Sequence, residues 1–115
     1  MKAFLDTFAL IEMLDGTKAF MPYLRDGVTS HVNLVEFHAN ACRLRGEAEA
    51  DAKLRRLLPK AISVEAADVR EASLVKRTVK GSSTVDALGY AMAQRRKIPF
   101  VTGDKAFRGL PGVLP

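Results

Sequence analysis

Four acidic residues sit where carboxylates can act together. Asp6 closes the short run Lys2-Ala3-Phe4-Leu5, and Glu36 falls inside a long helical pattern. Asp86 follows Ser83-Thr84-Val85, and Asp104 follows Val101-Thr102-Gly103. Brought together, such groups repel: two unit charges 4 Å apart cost about 4 kcal/mol at an effective dielectric near 20. A fold tolerates the cluster when cations occupy it, and all-oxygen ligands suit hard divalent ions, Mg²⁺ or Mn²⁺. Such ions activate a water and stabilise the leaving oxygen in phosphodiester cleavage.

Those acids need elements to hold them. Residues 2–5 read as a buried strand, because parallel strands covered on both faces show apolar runs. Residues 7–14 read as a helix broken at Asp15-Gly16, and 17–24 as a short helix weakened by Pro22. Residues 28–30 read as a strand or turn, with Ser30 as a cap for a helix over 31–45. Helices over 47–58, 66–80 and 84–96 follow, with strands at 61–64, 99–102 and 113–114 between and after them. Strands alternating with helices predict an α/β fold, a three-layer α/β/α sandwich with a mostly parallel sheet, built as one domain over residues 1–115. In such sheets ligands bind at the carboxyl ends of the strands, near the point where strand order reverses.

Asp6 and Asp104 each follow a strand and therefore project from that edge. Taken singly, a helix cap or a turn explains each of them better. Asp86 fits the S/T-x-x-D/E capping box with Ser83, a role compatible with offering an oxygen to a metal. Glu36 lies beside the stripe Val32, Val35, Ala39 and Cys42, so that its charge needs a partner. A metal and Arg43 are equal candidates for that partner.

The chain has 115 residues, with 18 Lys and Arg against 13 Asp and Glu, a net charge of +5. Four acids withdrawn into a metal site leave 18 against nine, or +9. That suits a polyanion such as RNA or an acidic protein, although charge alone favours RNA only modestly. No run of about 20 apolar residues exists, so no membrane span is expected. The N-terminal run stops at Asp6 with no long apolar core behind it, so no signal peptide is expected. The single Cys42 fits a reducing cytoplasm.

Several motifs together carry a family resemblance. They are Leu5-Asp6-Thr7, Val35-Glu36-Phe37, Asp86-Ala87-Leu88 with Ala91, and Val101-Thr102-Gly103-Asp104 followed by Phe107 and Leu110-Pro111-Gly112-Val113. In this order and spacing the chain resembles PIN-domain proteins, and specifically the VapC-type toxins of toxin–antitoxin pairs. The resemblance implies a PIN three-layer sandwich. It implies Asp6, Glu36, Asp86 and Asp104 as catalytic ligands for Mg²⁺ or Mn²⁺, with Thr7 and Thr102 as supporting hydroxyls. It further implies endonucleolytic cleavage of structured RNA, a cognate antitoxin that masks the site, and a homodimer. Two positions depart from the pattern. Phe8 stands where many relatives carry a small polar residue, and Lys105-Ala106 stands where many supply a further Asp.

Other candidates are weaker. His31 and His38 lack zinc-like partners. Ser82 and Ser83 have no His in a triad-like order. Arg95-Arg96-Lys97 reads as a solvated helix end favourable to the helix dipole, ahead of an RNA contact. A phosphorelay receiver domain would need paired acids after the first strand, and Thr7 follows Asp6. Two alternatives stay open: a PIN-like RNA- or protein-binding module without catalysis, and an RNA-processing nuclease outside toxin–antitoxin pairs.

Overall fold

In the computed structural model, which describes residues 2–114, the apolar runs become very short parallel strands. These are β1 (Phe4–Leu5), β2 (Phe100–Val101) and β3 (Val113–Leu114), in the order β1-β2-β3. Phe4 pairs with Phe100 and Leu5 with Val101, while Phe100 pairs with Val113 and Val101 with Leu114. Single parallel bridges, Phe4 to Val28 and Thr29 to Ala61, extend the sheet on the other side of β1. The strand expected over 61–64 is thus reduced to one bridge. From β1 the chain builds outward through residues 28 and 61 on one side, and through β2 and β3 on the other. Strand order therefore turns between β1 and β2.

The helices are α1 (Thr7–Leu14), α2 (His31–Arg45), α3 (Glu47–Leu57), α4 (Ala66–Thr78) and α5 (Thr84–Arg95). The short helix expected over 17–24 is a 3₁₀ helix, Lys18–Tyr23, with Pro22 inside it. Proline lacks the N–H that an α-helical turn would use. Ser30 caps α2 as expected, its Oγ accepting from Asn33 N at 3.2 Å. Among the described residues no helix is long and apolar enough to cross a membrane.

Alternation along the strands splits the core into two layers. Leu5 and Val101 face a cluster with Leu10, Met13, Leu34 and Phe37 from α1 and α2. Phe4 and Phe100 face the opposite cluster with Tyr90, Met92 and Phe107 on the α4–α5 side. Helices cover both faces of a parallel sheet, the expected three-layer sandwich.

The α4–α5 layer lies close on the sheet because Gly89 lacks a side chain. A Cβ there would meet Phe4 Cε1 at 2.8 Å and Phe100 Cε1 at 3.0 Å. Both rings are fully buried and cannot swing away. Gly89→Ala gains up to about 1 kcal/mol of helix propensity and loses about 1–3 kcal/mol to overpacking. We expect a net loss of about 1–2 kcal/mol in urea unfolding. A variant as stable as the wild type would mean that α5 shifts outward freely.

Two sequence expectations fail here. The buried face of α2 is Asn33, Leu34, Phe37 and Ala41, while Val35 is 70% exposed and Val32 41%. Two apolar stripes compete on this helix, and the one carrying Leu34 and Phe37 meets the core. Arg95 and Arg96 are also no solvated helix end. Arg95 Nη1 donates to Asp68 Oδ1 at 2.7 Å, and Arg96 donates to Asp68 Oδ1 at 2.9 Å and Oδ2 at 3.0 Å. Lys97, the third of that cluster, is exposed and has a left-handed φ of 56°.

Candidate active site

Asp6 is 3% exposed and is the N-cap of α1. Its Oδ1 accepts from Ala9 N at 2.8 Å. Its Oδ2 accepts from Thr102 Oγ1 at 2.5 Å and from Gly103 N at 3.1 Å. The capping role and the site role thus coexist in one carboxylate. Oδ2 thus has both its lone-pair directions taken, while Oδ1, with one donor, keeps a direction for a further partner. Burial raises its pKa, and these three donors offset only part of that rise. The charge of Glu36 adds a smaller upward push.

Thr102 ties the two strand ends together. Its hydroxyl donates to Asp6 and accepts from Asp104 N at 3.0 Å. Asp104 in turn caps the short 3₁₀ turn Lys105–Phe107, accepting from Ala106 N at 2.9 Å. Asp86 stands at the start of α5, where Ser83 Oγ accepts from Asp86 N at 3.1 Å. Only this half of the expected capping box is present among the hydrogen bonds, and the Asp86 carboxyl faces the other acids. Burial first, then a hydrogen bond with the Asp104 side chain, then the charges of Asp6 and Asp104 push it up to about 7. The neighbouring carboxylates thus favour the protonated form of Asp86.

Glu36 stands apart from this trio. It is exposed, where a place beside a core face was expected, and it acts on Asp6 only through its charge. Arg43, its alternative partner, donates instead to Asn40 Oδ1 at 2.6 Å. Glu36 makes no ion pair among the described residues. Thr7, next in sequence to Asp6, is half-buried and accepts from Asn33 Nδ2 at 3.3 Å.

Among the described residues no three such groups converge as a finished ligand set. The donors nevertheless suit a hard cation. They are all carboxylate and hydroxyl oxygens, and a proton held near 7 sits where positive charge is favoured. Mg²⁺ keeps several waters and needs only one or two direct carboxylates, so outer acids can act through water.

Sequence reasoning missed a buried polar group behind the site. Asn33 is fully buried, and its Oδ1 accepts from Ser30 Oγ at 2.7 Å. Thr29 Oγ1 donates to Leu5 O at 2.9 Å, bracing the strand that carries Asp6. The signal was an Asn beside Leu34 on what proved to be the inner face of α2. Burying an amide costs free energy unless each polar atom finds a partner.

The family model described as "PIN domain" matches residues 3–113. The chain belongs to the PIN domain family. No match arises among curated proteins. Similar solved structures include a toxin–antitoxin complex from Klebsiella pneumoniae, with a TM-score of 0.77 and 22% identity over 98% of this chain and 96% of that one. A protein from Pyrobaculum aerophilum gives a TM-score of 0.73 and 19% identity over 99% and 91%. VapBC2 from Rickettsia felis, bound to a DNA fragment from its promoter, gives 0.72 and 13% over 99% and 96%. These likenesses place the chain's sandwich among PIN-domain structures. Phe8, Lys105 and Arg108 line a cleft beside Thr102 and Asp104 in this PIN domain.

Proposed function

We propose that this PIN domain is a metal-dependent endoribonuclease and the toxin of a toxin–antitoxin pair, acting in the cytoplasm. The observation that carries the reading is that Asp86 shares a hydrogen bond with Asp104 and feels the charge of Asp6 where strand order turns, in a chain of this family. One structural neighbour is itself a toxin–antitoxin complex, and another is VapBC2 bound to promoter DNA. Asp6, Asp86 and Asp104 would hold Mg²⁺ or Mn²⁺, with Glu36 reaching the site from α2 through water. The bound ion supplies an activated water and charge stabilisation for phosphodiester hydrolysis.

The chain's own residues do the rest. Thr102 and Gly103 N hold Asp6 Oδ2 in place, and Ala9 N holds Oδ1, so the carboxylate cannot rotate away. Asn33 and Ser30 hold Thr7 behind it. Basic side chains outside the site bind the RNA backbone, and a cognate antitoxin would cover the site of a homodimer.

Purified protein should cut RNA in Mg²⁺ or Mn²⁺ and stop in EDTA. Glu36→Gln should slow cleavage by roughly 10- to 100-fold, in the range of a lost outer metal partner, without loss of melting temperature. RNA left intact with either metal would remove the catalytic reading and leave a binding module.

A further inference from the structure

We propose that Phe8, Lys105 and Arg108 form a nucleotide subsite that stacks one unpaired base next to the scissile phosphate. The proposal rests on the nuclease reading and names its substrate as RNA with unstacked bases near the cut.

Phe8 lies two residues after Asp6 and is 46% exposed. An isolated exposed apolar side chain needs no explanation, but this one is fixed and has charged company. Its ring meets Phe20 edge-on, with centroids 5.9 Å apart and planes at 77°. It also lies against Gly103, where a Cβ would come within 2.7 Å of Phe8 Cγ. The ring is therefore held at the mouth of the acidic cluster. Beside it opens a cleft of about 350 Å³ lined by Phe8, Thr102, Asp104, Lys105, Arg108 and Val113. That is within the range that small-ligand pockets occupy.

Thr102 and Asp104 belong to both the cleft and the acidic site, so a group in the cleft adjoins the reaction centre. Lys105 and Arg108 are exposed and make no ion pair among the described residues. A pinned aromatic surface and two unspent cations beside a phosphodiester-cleaving centre match one nucleotide, with its base on the ring and its phosphate on the cations. A paired base offers no free face, so the subsite favours single strands and loops.

The test is binding of a fluorescein-labelled single-stranded oligoribonucleotide, in EDTA to prevent cleavage. A duplex of the same sequence serves as the comparison, and folding is followed by circular dichroism and melting. Phe8→Ala should weaken single-strand binding by about 10- to 100-fold, the usual scale of a lost stack, and change duplex binding little. Phe8→Trp should bind at least as tightly as the wild type, and Phe8→Leu should bind nearly as weakly as Phe8→Ala. Neutralising Lys105 and Arg108 to Gln together should reduce the slope of log K against log salt by about 1.4.

If Phe8→Ala does not fold, the contrast between Phe8→Leu and Phe8→Trp decides. Phe8→Leu binding as tightly as the wild type would overturn the proposal and reduce Phe8 to apolar packing. Phe8→Ala binding as tightly would also overturn it, and would return the aromatic face to a protein partner. RNA cleavage in Mn²⁺ is scored separately. Active wild type with unaltered Phe8→Ala binding defeats the subsite alone, whereas inactive wild type defeats the nuclease reading.

Discussion

Asp6→Asn is expected to abolish the proposed metal-dependent RNA cleavage and to leave RNA binding in place. The two activities rest on different groups. Affinity for a polyanion comes from Lys and Arg spread over the surface, and losing one carboxylate does not weaken it. Cleavage needs a water in line with the leaving oxygen, and a misplacement of about 1 Å costs roughly 100-fold. Among the candidate ligands Asp6 is the most tightly fixed, so its loss cannot be made good by a neighbour swinging in.

The structure also sets the cost to stability. An Asn carbonyl can still accept from Ala9 N, but its amide then presents N–H where Gly103 N donates to Oδ2 at 3.1 Å. The lost bond costs about 1–3 kcal/mol, offset in part by relief of the repulsion with Asp86. Relief alone would have left the melting temperature level or higher; the three donors around Asp6 turn the expectation to a modest loss. Cleavage and binding are measured on one RNA below the variant's melting temperature. A folded Asp6→Asn protein that cuts at the wild-type rate in Mg²⁺ would dismiss this cluster as the catalytic centre.

Asp68→Asn should destabilise the fold by about 2–3 kcal/mol at neutral pH. Breaking a buried charge pair costs about 3–5 kcal/mol. Here the Arg95 and Arg96 side chains remain 34% and 25% exposed, so solvent screens part of that loss. Asp68 is fully buried, and its Oδ2 also accepts from Glu65 N at 2.8 Å, closing the start of α4. Arg96 chiefly, with Glu65 N and Arg95 helping, holds the Asp68 carboxyl well below the usual carboxylate range.

The depressed folded value sets the sign of the pH dependence. The stabilisation is complete above the ordinary Asp value near 4. It is lost as pH falls through the depressed one. The gap between wild type and Asp68→Asn in urea unfolding should stay level around pH 7 and narrow on acidification below about pH 4. A gap under about 1 kcal/mol at pH 7, the scale of an exposed pair, would mean that solvent screens the link between α4 and α5 almost entirely.

What could be read from the sequence followed local signals. The bounds of α1 and α2 lie where Asp15-Gly16 and Ser30 place them, because breakers and caps act within a turn. The parallel layers follow from apolar runs alternating with helical patterns. Proximity of Asp6 and Asp104 follows from strand ends alone, once the strands are neighbours. The rest depends on contacts that no local pattern carries. Which of two stripes on α2 turns inward is decided by Leu34 and Phe37 meeting the α1 layer. The destiny of Arg95 and Arg96 is decided by Asp68, an acid 27 and 28 positions away. Phe8 was visible as a departure from relatives, but its pinning by Phe20 and Gly103 was not.

The join between β1 and β2 has a consequence for the order of events during synthesis. Thr102 reaches back 96 positions to hold Asp6, and Phe4 N donates to Pro99 O at 2.8 Å across the same seam. Contacts this distant in sequence form late, since the loop must close before they are rewarded. A growing chain that has not yet exposed β2 to the solvent outside the ribosome has Asp6 without its clamp and no Asp104. Under the proposed reading, the acidic cluster is complete only after Thr102 and Asp104 have emerged and closed back on Asp6.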